Sequence, residues 1–330
     1  MRVYAMSKLR IAMRMVAALL SYSMVQAHAQ APAYPAKPVK VIVALAAGSG
    51  ADIVTRIFTA KLSESFSQQF VVENRGGAGG NIGVEAGARS APDGYTLLAI
   101  SAGQVINTAL YPKLPYNLEK DFEAVGLVAA APLILVVHPS LPVKSVKELI
   151  TFAKARPGKL YYASSGNGSS PHLAAEMFKM HAGIDIVHVP YRGSPQAVTD
   201  LIAGETSLVL LAPSSVMQYV QSGRLRALAV ASARRSVTAP GLPTMAEAGL
   251  PGYEAGTWTA LLTPAGTSVE IISRVNRELV TIARLPEVRE RLATQGFDAR
   301  TTTPTEFAAY LRAEIAKWAK VVKATGVRID

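Results

Sequence analysis

Apolar residues along the chain occur both in short continuous runs and at spacings of three or four, a pattern typical of strands that alternate with helices. The helix predicted over residues 53–66 carries an apolar residue at every fourth position: Val54, Phe58, Leu62 and Phe66. Strands are predicted around it, over residues 39–45, 70–73 and 95–100. Because strands and helices follow one another in turn, the pattern predicts a mostly parallel sheet covered by helices.

The same succession begins again near residue 133. Strands are predicted over residues 133–137, 160–163, 186–189, 208–211 and 225–231, with helices between them, and one more strand with three helices follows from about residue 258. Helix starts are marked by the pairs Ser145/Glu148, Thr267/Glu270 and Thr303/Glu306 and by Pro286 and Pro304. The fold class predicted is therefore α/β with two lobes, each a mixed, mostly parallel sheet flanked by helices.

A chain of 330 residues exceeds the usual size of a single hydrophobic core, which also favours two lobes. We expect residues 30–131 and 255–330 to form lobe 1 and residues 132–254 to form lobe 2. The chain would then cross between the lobes twice, near Ala130 and near Tyr253. Two such crossings make a hinge beside a cleft.

The first 29 residues have the order of a secretory signal peptide. Basic residues up to Arg14 precede an apolar stretch over residues 15–25, and Ala27 and Ala29 form a small-residue cleavage site. This stretch is shorter than the roughly 20 residues of a membrane span, and an apolar N-terminal core helix is the alternative. We expect cleavage after Ala29 and export of a soluble chain to the periplasm.

The amino-acid composition limits the kinds of functional site that the chain can form. The sequence contains no Cys, which excludes disulfides, thiolate metal sites and Cys nucleophiles, and its five His leave little for a metal site. The formal charge of the whole chain is +11. Without the first 29 residues, the chain has 30 Lys and Arg and 23 Asp and Glu. This modest excess suits an anionic ligand and is too diffuse to indicate nucleic acid. We expect neither a metal nor a cofactor.

Three loops that follow predicted strands are candidates for ligand binding. The candidate residues are Gly48, Ser49, Gly50 and Asp52 in the first loop, Ser101, Ala102 and Gln104 in the second, and Ser164, Ser165, Gly166, Asn167, Gly168, Ser169 and Ser170 in the third. Glycines, hydroxyls and backbone N–H groups at helix starts form anion-binding sites. Ordinary capped turns are the alternative for each loop. Together, the loops favour a carboxylate or phosphate site in the cleft.

Enzyme motifs are mostly missing. No G-x-G-x-x-G, Walker or H-E-x-x-H motif is completed. An exported hydrolase with Ser169 or Ser170 as nucleophile and His172 as base is the alternative, although no Asp is placed by spacing to orient the ring. Replacing His172 by alanine should change the affinity little if the imidazole merely packs at the helix start. Alanine there should matter less for binding than valine at Gly166 or Gly168.

Five segments of the sequence form a recognisable series: Val-Glu-Asn-Arg at 72–75, Gly-Ala-Gly-Gly-Asn-Ile-Gly at 77–83, Ala-Pro-Asp-Gly-Tyr at 91–95, Ser-Ser-Gly-Asn-Gly-Ser at 164–169 and Val-His-Val-Pro-Tyr at 187–191. Together they resemble the Bug family, the periplasmic receptors of tripartite tricarboxylate transporters. The resemblance implies a Venus-flytrap protein that is not an enzyme and presents a small organic acid to membrane transporter subunits. It also implies that the three loops hold one carboxylate. A sensory module for a membrane kinase would share this fold.

The chain departs from the family pattern at two places. The first loop has Ala44, Ala46 and Ala47 where relatives usually carry prolines. Ser207 and Ala212 stand where many relatives have acidic residues, and Ala212 is a candidate ligand contact from lobe 2. We therefore expect a monomeric receptor for a mono- or dicarboxylate with an apolar body rather than for a tricarboxylate.

Overall fold

The computed structural model describes residues 34–191, 193–236 and 239–328. The signal peptide and its cleavage site lie outside the described residues. The chain divides into two compact units, Met1–Ala36 and Lys37–Asp330. All the strands and helices below belong to the second unit.

The strands of the described residues are β1 (Val39–Val43), β2 (Phe70–Asn74), β3 (Thr96–Ser101), β4 (Phe122–Pro132), β5 (Ile134–Val137), β6 (Tyr161–Ser164), β7 (Val187–Pro190), β8 (Leu208–Leu211), β9 (Arg226–Val230), β10 (Gly256–Pro264) and β11 (Asp298–Ala299). The α-helices are α1 (Gly50–Phe66), α2 (Asn81–Ala88), α3 (Ala102–Leu110), α4 (Val146–Lys154), α5 (Ser170–Ala182), α6 (Ser194–Ala203), α7 (Pro213–Gln221), α8 (Val269–Ile282), α9 (Pro286–Thr294) and α10 (Pro304–Thr325).

The strands form two mixed sheets. Sheet A has the order β11-β4-β10-β3-β1-β2, and sheet B has the order β7-β6-β8-β5-β9. In sheet A the strands β1 to β4 share one direction, which β10 and β11 oppose, and in sheet B only β5 runs against its neighbours. The structure is thus the predicted pair of α/β lobes with mixed sheets, in which four of the described strand pairs are parallel and five are antiparallel.

Helix starts follow local capping chemistry. Thr303 and Glu306 form the predicted capping box of α10: Thr303 Oγ1 accepts from the Glu306 N–H at 3.2 Å, and Glu306 accepts from the Thr303 N–H at 2.8 Å. The box predicted at Thr267/Glu270 is wrong. Ser268 caps α8 instead, and its hydroxyl accepts from the Ile271 N–H at 3.4 Å.

Strand β4 was not predicted, although it lies inside sheet A between β10 and β11. Its register with β10 shifts twice. The side chains of Leu127 and Val128 are each 1% exposed. Helix α10 packs on β4 and α3, and it brings Phe307 and Trp318 into the apolar core. The last helix is thereby tied to the first part of the chain.

The two connections between the sheets lie side by side. Leu133 joins β4 to β5, and residues 231–255 join β9 to β10. The Ala231 N–H donates to Leu133 O at 2.7 Å, the Ala255 N–H donates to Ala231 O at 2.8 Å, and the Leu133 N–H donates to Ala255 O at 3.3 Å. This ring of three backbone hydrogen bonds holds the two crossings together where the sheets meet.

Candidate functional site

The three candidate loops leave the two sheets at the edges that face these crossings. In sheet A, Thr259 of β10 pairs with Ser101 at the end of β3, so the end of β3 lies beside the start of β10. In sheet B, Ile134 at the start of β5 pairs with Leu211 at the end of β8. Because β10 and β5 both begin at a crossing, the carboxyl ends of β3 and β8 lie there too. Ligands in open α/β sheets favour such edges.

A cavity of about 360 Å³ occupies this region. Four of the predicted site residues line it: Gly48, Gly50, Ser101 and Ala212. The other lining residues are Leu45, Ala51, Ile53, Ser214, Thr257, Gln295 and Phe297. None of these described residues carries an ionisable side chain. Hydroxyls, one amide and backbone groups are the polar part of the lining, and aliphatic and aromatic carbon is the rest.

The first loop is held by Asp52. Its carboxylate accepts the Gly48 N–H at 2.8 Å, the Arg56 guanidinium at 3.0 Å and the Asn74 amide at 2.9 Å. Ser49 caps α1 by accepting from the Asp52 N–H at 3.3 Å. Asp52 is 3% exposed and does not belong to the cavity lining among the described residues. Its carboxylate therefore shapes the loop from behind.

The environment of Asp52 keeps this carboxyl ionised. Burial raises its pKa, but the hydrogen bonds from Gly48, Arg56 and Asn74 and the charge of Arg56 outweigh burial. The pKa of Asp52 consequently lies below its ordinary value. A charged Asp52 near the first turn of α1 also suits the positive end of the helix dipole.

The residue Phe297 reaches the first loop from far along the sequence. A Cβ atom built on Gly50 would lie 2.9 Å from Cζ of the Phe297 ring, so a larger residue there would require the ring to move. The neighbouring Gly296, at φ +77°, approaches the Ser214 backbone nitrogen in lobe 2, which lies 3.1 Å from where a Cβ would stand. Residues 295–297 thus touch both lobes. Sequence reasoning missed them because no local motif marks them.

The second loop is fixed by Gln104. Its Oε1 accepts the Ser101 N–H at 2.8 Å and lies 3.0 Å from the Ser101 hydroxyl, and its Nε2 donates to Gly79 O at 3.0 Å. Gln104 is 1% exposed and lies outside the cavity lining of the described part of the chain. Ala102 is the first residue of α3, where backbone N–H groups have no partner within the helix. Gln104 therefore positions Ser101, which does line the cavity.

The third loop begins one strand away from Ala212. Strands β6 and β8 are parallel neighbours, with Ala163 opposite Val209, so residues after Ser164 leave the same edge of sheet B as Ala212. In the described chain, however, residues 164–170 do not line the cavity. The predicted contacts of this loop with a ligand remain a prediction.

Hydrogen bonds inside the third loop use several of its donors. The Gly166 N–H donates to Ser164 Oγ at 3.1 Å, and the Gly168 N–H donates to His172 Nδ1 at 3.0 Å. Gly166 and Gly168 have φ values of +128° and +71°, which L side chains rarely adopt. The His172 imidazole does more than pack, because its Nδ1 accepts the backbone hydrogen of Gly168.

The hydroxyl of Ser169 and the ring of His172, the nucleophile and base of the hydrolase alternative, do not hydrogen-bond to each other. Ser169 Oγ donates to Gly166 O at 2.7 Å, and it accepts from the backbone N–H of His172 rather than from the ring. Burial lowers the pKa of His172. Another serine, Ser164, contacts a histidine ring, with its hydroxyl 2.7 Å from His188 Nε2. Ser164 is fully buried, so its hydroxyl is shielded from any substrate.

A larger cavity of about 830 Å³ is lined by the crossings themselves, with Ala131, Ala231 and Ala255 among its residues. It shares only Thr257 and Phe297 with the smaller one, and none of the predicted site residues lines it. Its charged groups partly pair with one another, as Arg300 does with Glu254 at 3.7 Å. The smaller cavity, where the loop ends converge, is the better candidate for the binding site.

Two α/β lobes joined by paired crossings, with a cavity at the ends of their strands, define the class of two-lobed solute-binding proteins. Within the described residues, no helix has the length and apolarity to cross a membrane, and no cluster of His, Asp and Glu could hold a metal ion. The chain belongs to the tripartite tricarboxylate transporter family receptors, whose family model matches residues 54–327.

Individual relatives agree with this membership. Protein BugT of Bordetella pertussis is 39% identical over 307 residues, which cover 92% of this chain and 94% of BugT. Among solved structures, R. palustris Rpa4515 with adipate is 35% identical with a TM-score of 0.74, covering 89% of this chain and 99% of that chain. MatC from Rhodopseudomonas palustris with bound malate is 30% identical with a TM-score of 0.71, and the match covers 88% of this chain and 100% of MatC. This chain is accordingly a periplasmic carboxylate-binding receptor for a tripartite transporter.

Proposed function

We propose that this receptor binds a mono- or dicarboxylate with an apolar body. One carboxylate lies at the starts of α1, α3 and α5, near Gly48, Gly50, Ser101 and the third loop, and the remainder of the ligand contacts Leu45, Ile53 and Phe297. The bound acid is then delivered to the membrane subunits of the transporter.

The observation that carries this proposal is the uncharged lining of the 360 Å³ cavity. Helix N-termini and hydroxyls stabilise one carboxylate through backbone donors and the helix dipole. A third carboxylate in the same space would lose its hydration without gaining a cationic partner. Apolar carbon on the cavity wall instead favours a hydrocarbon body, at about 25 cal/mol for each Å² removed from water.

The solved neighbours support the same ligand class. Adipate and malate, the acids bound in two similar structures, are both dicarboxylates. Adipate has an apolar chain between its carboxylates, and malate is shorter and carries a hydroxyl. The lining by Leu45, Ile53 and Phe297 favours the adipate type of ligand for this chain.

The lobes that close on the ligand are proposed to be residues 30–131 with 255–330, and residues 132–254. The hydrogen-bonded crossing at Leu133, Ala231 and Ala255 supports a hinge at these boundaries. Gly296 and Ser214 approach each other across the lobes and would separate on opening. The receptor is proposed to act as a monomer, without a cofactor and without catalysis.

The exported form is proposed to begin at Gln30, because Ala27 and Ala29 complete the signal-peptide pattern. Amino-terminal sequencing of protein recovered from the periplasm tests this. A mature protein that retains residues 15–25 would contradict export by cleavage.

Native mass spectrometry of the exported protein tests the ligand class. The expected result is a bound mass that matches an organic acid with one or two carboxyl groups and is released on unfolding. A retained tricarboxylate, or a retained neutral sugar, would contradict the proposal. Incubation with p-nitrophenyl esters should give no turnover, whereas hydrolysis lost in Ser169→Ala would support the catalytic alternative.

A further inference from the structure

Two histidines form a stacked pair directly beneath the third loop. The rings of His172, in α5, and His188, in β7, have centroids 3.8 Å apart and are tilted by only 7°. Tyr162 of β6 stacks on His188 at 4.8 Å and 19°. His172 is 5% exposed, whereas His188 is half-buried.

Each ring holds a different part of the third loop. His172 Nδ1 accepts the Gly168 N–H at 3.0 Å, which requires an unprotonated Nδ1. His188 Nε2 lies 2.7 Å from Ser164 Oγ, and that hydroxyl in turn accepts the Gly166 N–H at 3.1 Å. The two imidazoles therefore anchor the loop at its start and near its end.

The charged groups that face the pair favour its neutral form. Burial lowers the pKa of both rings, and the neighbouring His172 and Lys179 add to this effect at His188, whose pKa falls to about 4. Glu176 opposes the shift at His172, but its carboxylate is engaged by the Tyr162 hydroxyl at 2.5 Å and by Lys179 at 2.9 Å. At neutral pH both rings are available as hydrogen-bond acceptors.

We propose that the stacked pair His172–His188 is the positioning element of the third loop, residues 164–170. His172 fixes the loop through Nδ1 and His188 fixes it through Nε2. The loop then presents its remaining backbone donors at the start of α5 to the ligand carboxylate. The inference rests on the proposed function, because it takes this loop as part of the carboxylate site.

Asparagine and glutamine variants separate positioning from packing. The Asn amide oxygen reaches about as far as Nδ1 of histidine, and the Gln amide oxygen reaches about as far as Nε2. His172→Asn and His188→Gln should therefore keep the affinity within about threefold of wild type. His172→Gln and His188→Asn should lose about tenfold or more, which corresponds to about 1.4 kcal/mol. If the two rings only packed, Asn would not bind better than Gln at position 172 and worse than Gln at position 188.

The measurement is calorimetry at pH 7.5 with the tightest binder among adipate, malate, citrate and benzoate, on variants that melt cooperatively. His138→Asn and His138→Gln are matched controls, since His138 follows β5 at the edge of sheet B away from the cavity and contacts Ser140. Neither control should change the affinity. Equal affinities for Asn and Gln at both positions 172 and 188 would overturn the positioning role and leave the receptor function intact.

Hydrogen exchange gives a second readout that needs no ligand. The Gly168 amide should exchange about tenfold faster in His172→Gln than in His172→Asn. In the wild-type protein, ¹⁵N NMR should show His172 neutral with its proton on Nε2. A proton on Nδ1 at pH 7.5 would overturn the proposal whether or not the variants fold. Failure of the wild-type protein to bind any of the four acids would instead overturn the proposed function. Hydrogen exchange at Gly168 and the protonation of His172 would still decide the positioning role in that case.

Discussion

The carboxylate of Asp52 accepts the backbone hydrogen of Gly48 at 2.8 Å. Gly48 lines the cavity, whereas Asp52 lies behind it with Arg56 and Asn74 on its other sides. The charged residue of the first loop is thus part of the scaffold. The first loop and the start of α1 contribute Gly48, Gly50, Ala51 and Ile53 to the lining, so the shape of the cavity here depends on backbone placement.

Replacing Asp52 by asparagine should destabilise the protein and weaken ligand binding. The amide retains one acceptor and introduces a donor against Arg56 or the Gly48 N–H, which costs about 1–3 kcal/mol for a buried group left unpaired. Urea unfolding and calorimetry measure the two effects. Asp185→Asn, at an exposed position, is the control and should leave both unchanged. Wild-type stability in Asp52→Asn would contradict the scaffold role.

A methyl group at Gly50 should disturb the cavity. Its Cβ would lie 2.9 Å from the Phe297 ring, so the ring must move and the affinity should fall about three- to tenfold. Gly103→Ala is the matched control at another helix start, where the nearest atom is Ser101 Oγ at an ordinary 3.6 Å. Calorimetry on both variants makes the comparison. Equal affinities in the two variants would show that Phe297 does not shape the site.

A carboxylate at position 212 should discriminate between ligand classes. Ala212 lines the cavity and is the N-cap of α7, so aspartate there would cap the helix while adding negative charge to the site. Ala212→Asp should weaken adipate tenfold or more and benzoate less, because only adipate carries a second carboxylate. Competition binding with both acids tests this, and equal losses for them would contradict it.

Ser207→Asp is the control for that experiment. Sequence comparison placed Ser207 beside Ala212 as a second departure relevant to the ligand, but the structure separates them. Ser207 precedes β8 and bonds with Tyr161, whereas Ala212 follows β8, roughly 16 Å away at 3.3 Å per residue. The expectation that Ser207 bears on ligand polarity is wrong. Ser207→Asp should leave both affinities unchanged.

The histidine pair should make stability depend on pH between about 6.5 and 4. The pKa of His188 is lowered to about 4, so in this range the unfolded chain binds a proton that the native state does not. The stabilisation is complete above pH 6.5 and is lost as the pH falls, by roughly 2–3 kcal/mol at pH 4.5. Urea unfolding of wild type and His188→Gln at pH 7.5 and 4.5 tests this. Parallel pH profiles would contradict it.

Helices with clear periodicity were predictable from sequence because local burial determines them. Val54, Phe58 and Leu62 of α1 are at most 1% exposed, as the four-residue spacing indicates. The helix begins at Gly50, three residues before the predicted start, because Ser49 supplies the cap. Helix α6 ends at Gly204, which adopts φ +81° as a left-handed C-cap.

Contacts between distant segments were not predictable in this way. Strand β4 contains Gly126 and several alanines, so its weak apolar pattern gives no strand signal until β10, more than 120 residues later, pairs with it. Phe297 reaches Gly50 from the other end of the chain. Sequence also could not decide whether Asp52 faces a ligand or its own loop, since both choices suit a helix start.

Calorimetric titration with adipate and citrate tests the central claim most directly. The protein should first be unfolded and refolded to remove retained ligand. The uncharged cavity predicts that adipate binds at least tenfold more tightly than citrate, with a negative heat-capacity change from buried apolar surface. Citrate binding more tightly than adipate would contradict the account of one carboxylate held by neutral donors beside an apolar wall.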